Sequence, residues 1–353
     1  MKKLFIFAAL AFGLAACETK NEESIDAVVN GDKAVEFTIN VVAPEAEETR
    51  AADWLNSAAG AISNGLLGTP DDNVTLRYIL EIYDADAADR RPSDERYIQY
   101  SDDRNVSFNP RLIPDRTYTF VVWADIVTRS DEDKPWENNL YNVGEISEDT
   151  PSGQLRNVTI NAGNWKPMDE MRDAYTGFVT AKLDGTDDIK VTLTRPFAKL
   201  RVVTEDMAAV NALGVVPTKA KIVYTTPYRI KFNAMTGAYT AADDANKKTH
   251  NTFEIADYDS NVDNASKALF TDYFFADTTG TDKVCFTMEV YEVYDGADKL
   301  IKTTEFTTDI PVKRNTLTTI TGKFLTVQDG NYAIKVEVSN NGDFATPEIV
   351  ENR

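Results

Sequence analysis

One histidine, His250, and two cysteines, Cys17 and Cys285, are all the imidazole and thiol in this chain. A Ser-His-Asp or Cys-His relay needs an imidazole beside its nucleophile, so any such relay would have to use His250. That residue lies in the polar run Asn246-Lys247-Lys248-Thr249-His250-Asn251 and reads as a loop histidine. No Gly-x-Ser-x-Gly elbow accompanies it. A zinc site needs three or four His, Cys or carboxylate ligands at set spacing, and these counts do not supply one from His and Cys. Asp257-Tyr258-Asp259-Ser260-Asn261-Val262-Asp263 opens like a calcium loop. It lacks glycine at the sixth position and carries Ala268 at the twelfth, where a bidentate glutamate belongs. Asp84, Asp86 and Asp89 read as a solvated loop, and no carboxylate pair stands out as a glycosidase would require. No glycine-rich phosphate loop is present. Of the four tryptophans, Trp123 sits in a strand and reads as core. Trp54 lies in an Ala/Gly/Ser-rich stretch. Trp136 and Trp165 lie in loops, either as stacking platforms or as packing under a loop. The chain reads as a non-enzyme: no catalytic residue, no cofactor, no metal.

The other cysteine of interest is at the start. Lys2 and Lys3 precede an apolar run, Leu4 to Ala16, that ends in Leu14-Ala15-Ala16-Cys17. A basic n-region, a short apolar h-region and small residues before a cleavage point make a secretory signal. The run is too short to span a bilayer, which takes about 20 apolar residues. Leu-Ala-Ala-Cys resembles a bacterial lipobox. That resemblance implies a diacylglycerol on the Cys17 thiol, cleavage before Cys17 and acylation of the new amine. Several acyl chains hold a protein on a membrane far better than one, at about 0.8 kcal/mol per buried CH₂. With Cys17 acylated, Cys285 has no partner, and its alternation with Val284, Phe286, Met288 and Val290 makes it a strand residue. Net charge is −20. Removing the signal, with two lysines and no acid, makes the balance more negative. Such a chain has no basic patch for nucleic acid and repels anionic lipid and its own copies.

The elements behind these residues are strands. Residues 1–16 are the signal and 17–32 an acidic tether. From Ala34 to Val42, Val35, Phe37, Ile39 and Val41 alternate with polar residues, which predicts one half-buried strand. Pro44 ends it, and an acidic loop holds Thr49-Arg50-Ala51. Strands are expected at Val74 to Tyr83, Arg96 to Tyr100, Asn105 to Phe108, Thr117 to Ala124, Leu155 to Ile160, Tyr175 to Leu183 and Ile189 to Thr194. Asp184-Gly185 marks a hairpin or a longer turn between the last two. A second set follows: Phe197 to Val203, Ala220 to Thr225, Thr252 to Ile255, Leu269 to Ala276, Val284 to Tyr294, Ile301 to Thr308, Leu317 to Leu325 and Tyr332 to Val338. Glu205 to Leu213 reads as a short helix. Many short strands with turns between them predict an all-β chain of two transthyretin-like or Ig-like β-sandwiches. The first is placed at 33–190 and the second at 191–353, with the break near Asp187 to Pro196.

The residues then carry a resemblance. The lipobox, the strand Ala34 to Val42 with its Thr49-Arg50-Ala51 loop, the stretch Val191-Thr192-Leu193-Thr194-Arg195-Pro196-Phe197-Ala198-Lys199-Leu200-Arg201-Val202, and Ile310 to Gly322 together resemble a fimbrillin-like lipoprotein, the subunit class of type V pili. That family implies a lipid-anchored protein of the outer membrane surface. It also implies cutting by an arginine-specific protease after Arg50, departure of the first strand, and a neighbour's strand in the vacated groove. Tyr332 to Val338 would be a donor or the last strand of its own sandwich. The implied partners are the membrane, through acyl chains, and copies of the chain or other pilus subunits. A host protein or glycan is the other candidate, and a glycan-binding surface lipoprotein the alternative function. Cys17→Ala is expected to abolish lipid labelling of the protein in cells; undiminished labelling would refute the anchor.

Overall fold

The computed structural model describes residues 34–42, 73–85, 96–101, 103, 105–144, 154–184, 188–240, 248–255, 267–326, 335–339 and 348–350. The described residues are mostly strand, and the strands stack into sandwiches as the alternating pattern demands. In the first sandwich, β1 (Val35–Glu36), β2 (Ile39–Val42), β3 (Val74–Asp84), β4 (Tyr97–Ser101), β5 (Asn105–Phe108), β6 (Arg111–Leu112) and β7 (Thr117–Thr128) come in order. β8 (Tyr141–Asn142), β9 (Val158–Ile160), β10 (Ala174–Lys182) and β11 (Ile189–Thr192) follow. A four-stranded sheet, β10-β7-β3-β4, faces a three-stranded sheet, β11-β2-β5. Leu76, Tyr78, Leu80, Phe120 and Val122 meet Ile39, Val41, Val106, Phe108 and Val191 between them. β3 and β7 are buried on both faces, because Ile79, Tyr83, Val121 and Trp123 join a second core behind the sheet.

The second sandwich starts with β12 (Phe197–Thr204), a short helix α1 (Met207–Ala212), β13 (Lys219–Tyr224), β14 (Lys231–Asn233), β15 (Ala238–Thr240) and β16 (Thr249–Glu254). It continues with β17 (Lys267–Phe275), β18 (Lys283–Tyr294), β19 (Ala297–Pro311), β20 (Leu317–Gly322), β21 (Lys335–Ser339) and β22 (Glu348–Val350). Its sheets run β17-β12-β20-β21-β22 and β16-β13-β18-β19. A third sheet, β15-β14-β9-β8, draws strands from both halves, with Lys231 paired to Thr159 and Phe232 to Val158. Around Phe197 the aromatic rings of the joint converge: Phe275 stacks at 4.8 Å, Tyr141 lies at 5.8 Å and Trp165 at 6.2 Å.

Several expectations are corrected. Ala34 to Val42 is not one strand: β1 pairs with β6, whereas β2 enters the three-stranded sheet. Val35 is accordingly 43% exposed, not core. β10 and β11 are not a hairpin, since they lie in different sheets. β10 is bridged instead to the segment just past β11, where Thr176 and Thr194 exchange backbone hydrogen bonds of 2.9 Å. Gly177 permits this approach: a Cβ there would stand 2.3 Å from the Thr192 carbonyl oxygen. β8, β14, β15 and β22 were not expected, because two or three residues hold no readable period. Of the two readings of Tyr332 to Val338, β21 lies in a sheet of its own sandwich, but between β20 and β22 and so not as its last strand. No helix among the described residues is long and apolar enough to cross a membrane.

Candidate functional site

β2 is the interior strand of its sheet, although the N-terminal segment supplies it. It runs parallel to β11, with Ile39 opposite Ile189 and Val42 opposite Thr192. It runs antiparallel to β5, with Ile39 opposite Phe108 and Val42 opposite Asn105. On the β11 flank, Ile189 N donates to Thr38 O at 3.3 Å, and Leu193 N to Val42 O at 2.9 Å. Phe37 N donates to Pro110 O at 3.0 Å just before β2 begins. Ile39 and Val41 are 0% exposed, and Phe37 is buried beside them. Three such side chains contribute roughly 1.5–3 kcal/mol each. The polar side chains of the segment face outward: Asn40 accepts from Ser107 Oγ at 2.8 Å, and Thr38 donates to Asn109 at 3.3 Å. If β2 left, β5 and β11 would frame an apolar slot with unpaired backbone on both sides, the template on which a foreign strand adds.

A second constellation lies at the joint. His250, read from the sequence as a loop residue, is on β16 and only 3% exposed. Its Nε2 meets Asp272 Oδ2 at 2.8 Å. Asp272 also receives Tyr224 Oη at 2.9 Å, Tyr228 Oη at 3.1 Å and the Arg172 guanidinium. Trp165 Nε1 donates to Tyr228 Oη at 2.7 Å, so Trp165 is packing and not a platform. Burial opposes the charge of Asp272. His250 and Arg172 outweigh it and hold the carboxyl well below the usual carboxylate range. Burial first, then Asp272, pushes the Tyr224 and Tyr228 phenols well up. Beside this group, Arg195 Nη2 and Nε hold Asp173 at 2.7 and 2.8 Å. Sequence reasoning missed Arg172, Asp173 and Asp272, because ion pairs far apart in sequence leave no local pattern.

Cys17, Arg50, Trp54 and the Asp257–Asp263 run lie outside the described residues. Cys285 has its Sγ 3.6 Å from Thr307 O and 3.9 Å from Asp309, and burial, then Asp309, raises its thiol. Tyr100 stacks on Trp136 at 5.9 Å and 28°, with Arg129 over the indole at 4.4 Å. Among the described residues no group of three His, Cys, Asp or Glu is placed to hold a metal ion.

A sequence family described as "Family of unknown function (DUF6562)" matches residues 28–351. No curated protein is similar enough in sequence to match. Among solved structures, a fimbrial assembly protein from Parabacteroides distasonis is 11% identical, with a TM-score of 0.42 over 90% of this chain and 99% of that one. The fimbrial anchor protein Mfa2 from Porphyromonas gingivalis is 12% identical, with a TM-score of 0.41 over 86% of this chain and 97% of that one.

Asp272 gives the site a pH dependence whose sign is fixed. A carboxyl depressed on folding adds stability above its unfolded value, about 4, and that contribution drains away as pH falls below it. Asp272→Asn leaves Arg172 buried without its counter-charge and is expected to cost about 3–5 kcal/mol at pH 7. In urea titrations the gap from wild type should narrow as pH drops below about 4; a gap independent of pH would contradict the assignment.

Proposed function

The chain belongs to the family of unknown function DUF6562, and from that premise we propose a lipid-anchored, non-enzymatic protein of the outer membrane surface that assembles by strand exchange, as a fimbrial subunit or pilus-related adhesin. One observation carries the reading: β2 is an interior strand of its sheet, and its covalent link to everything after it runs through residues 43–72, which contain Arg50. Arg50 is the only lysine or arginine between β2 and β3. One cut there by an arginine-specific protease detaches β1 and β2 from everything that follows. Before the cut, the strand is present at the high effective concentration of a tethered segment and excludes competitors. After it, the strand is an ordinary ligand and can be lost to dilution or drawn away with its lipid.

The test is limited digestion of protein beginning at Glu18, wild type beside Arg50→Gln, followed by size-exclusion chromatography. Digested wild type is expected to form larger species while the variant stays monomeric. A digested wild type that remains monomeric and melts like the intact chain would overturn strand exchange.

A second reading rests on the Tyr100–Trp136 pair. Tyr100 is 43% exposed on β4 and stacked on an indole that Arg129 holds from the loop. The exposed side of Tyr100 suits the apolar face of a sugar ring. Quenching of tryptophan fluorescence by oligosaccharides, abolished in Trp136→Ala, is the expected result if the protein is a glycan binder; no quenching by any of a panel removes that reading.

A further inference from the structure

β11 is the parallel wall of the β2 slot, and its surroundings are unusual for a wall. Among the described strands, its neighbour in the sheet is β2 itself. Besides the core packing of Ile189 and Val191, it is supported by the close approach to β10 at Gly177 and, just past its end, the Thr176–Thr194 bridge. Immediately beyond them the chain reaches Arg195, which is 5% exposed and grips Asp173, one residue before β10. Arg195 takes both carboxylate oxygens, with Nε at 2.8 Å from Oδ1 and Nη2 at 2.7 Å from Oδ2. Tyr175 Oη donates to the same Oδ2 at 2.7 Å, and the guanidinium lies 4.8 Å over the Tyr175 ring.

The neighbouring residue, Arg172, turns the other way. It pairs with Asp272 on β17, donates from Nη2 to Thr271 O at 3.3 Å and lies over the rings of Trp165 and Tyr273. Met168 adds a strand-like link: its N donates to Thr271 O at 3.0 Å, and Thr271 N meets its sulfur at 3.1 Å. Consecutive residues, Arg172 and Asp173, therefore tie the second sandwich on one side and the end of β11 on the other.

We propose that the two ion pairs Arg195–Asp173 and Arg172–Asp272 form a splint that fixes β11 to the second sandwich, so that the β2 slot keeps its width and direction when β2 is absent. The purpose rests on the strand-exchange reading; the mechanical coupling does not. Arg172, Asp173, Arg195 and Asp272 are positioning residues. None is in a β-ladder with the incoming strand. A strand that enters a slot held open loses less free energy to reorganisation than one that must rebuild the wall. Arginine suits the role: the Arg195 fork takes both oxygens of Asp173 and so fixes orientation as well as distance, while the Arg172 fork spreads its donors over Asp272, Thr271 O and Asp169 O.

The experiment is hydrogen exchange on the intact, uncut chain, comparing wild type, Asp173→Asn and Tyr175→Phe. The probes are the Ile189 and Leu193 amides, which bond to Thr38 and Val42, and the amides of β12 and β20 as a reference. In Asp173→Asn, Ile189 and Leu193 are expected to exchange at least tenfold faster while the reference amides keep wild-type rates. Tyr175→Phe, which removes one donor and keeps the ion pair, should move the same two amides by less. If Asp173→Asn does not fold, Tyr175→Phe carries the test alone. Wild-type rates at Ile189 and Leu193, or a uniform rise that includes β12 and β20, would overturn the splint. A second arm uses protein cut after Arg50 and freed of its N-terminal piece. A peptide of residues 34–42 should rebind the wild type at least tenfold tighter than Asp173→Asn. If the cut wild type ignores the peptide, strand exchange fails while the exchange measurement still judges the coupling.

Discussion

The fold depends on keeping two arginine–carboxylate pairs dry. Taking such charges out of water costs several kcal/mol per ion, and only near-complete hydrogen bonding returns it. Asp272 achieves this with a guanidinium, an imidazole, two phenols and the Tyr273 backbone amide, which reaches Oδ1 at 2.9 Å. Asp173 does so with Arg195 and Tyr175. Satisfying these groups requires residues from β10, the segment before it, β13, β16 and β17 to be in place together. The arrangement therefore specifies how the halves meet more sharply than apolar packing would, since an apolar contact tolerates sliding and a guanidinium with each donor directed at its own acceptor, as Arg172 has at Asp272, Thr271 O and Asp169 O, does not. The aromatic cluster around Phe197 reaches the pairs, since Arg172 lies over its Trp165 and Tyr273 rings.

That rigidity contrasts with the way β2 is held. The first strand contributes a short ladder and three buried side chains, with no buried ion pair among its described contacts. Its attachments are those that an equivalent strand from elsewhere could reproduce, because backbone hydrogen bonds carry no sequence and alternate apolar side chains carry little. The joint is written in side chains that nothing else could replace. The molecule thus separates a part built for permanence from a part whose bonding is generic.

Much of this layout was legible from the chain, and the reasons for the rest are physical. Strands such as β7 and β18 show a strong pattern because a long strand repeats its alternation several times, and β18 was located from Val284 to Tyr294 on that basis. The interior position of β2 was not legible: a strand's neighbours are set by other segments, here β11 and β5, more than sixty residues on. Val35 misled because alternation continues into β1 although the partner changes. His250 misled for a related reason. Its neighbours Thr249 and Asn251 are polar because they are exposed, while His250 between them points inward to a partner twenty-two residues ahead. In the Thr194-Arg195-Pro196-Phe197 stretch the sequence carried the family resemblance without its cause, and the structure supplies it: Arg195 closes the joint on one side of the proline and Phe197 fills it on the other.

The interior placement of β2 also bears on solubility. An edge strand that leaves merely uncovers the next edge, but an interior strand that leaves uncovers two, facing each other across a gap one strand wide. Exposed edges are aggregation sites unless they are short, charged or covered. β5 and β11 have four residues each, and their outward positions include Asn105, Ser107, Lys190 and Thr192, so each edge alone is short and polar. Together they present apolar Val106, Phe108, Ile189 and Val191 into the same gap. A single inserted strand satisfies both edges at once, whereas edge-to-edge pairing of two such molecules satisfies one edge of each and brings two acidic chains together. Geometry and charge thus both favour the one-strand solution over disordered association, provided the gap does not close before a strand arrives.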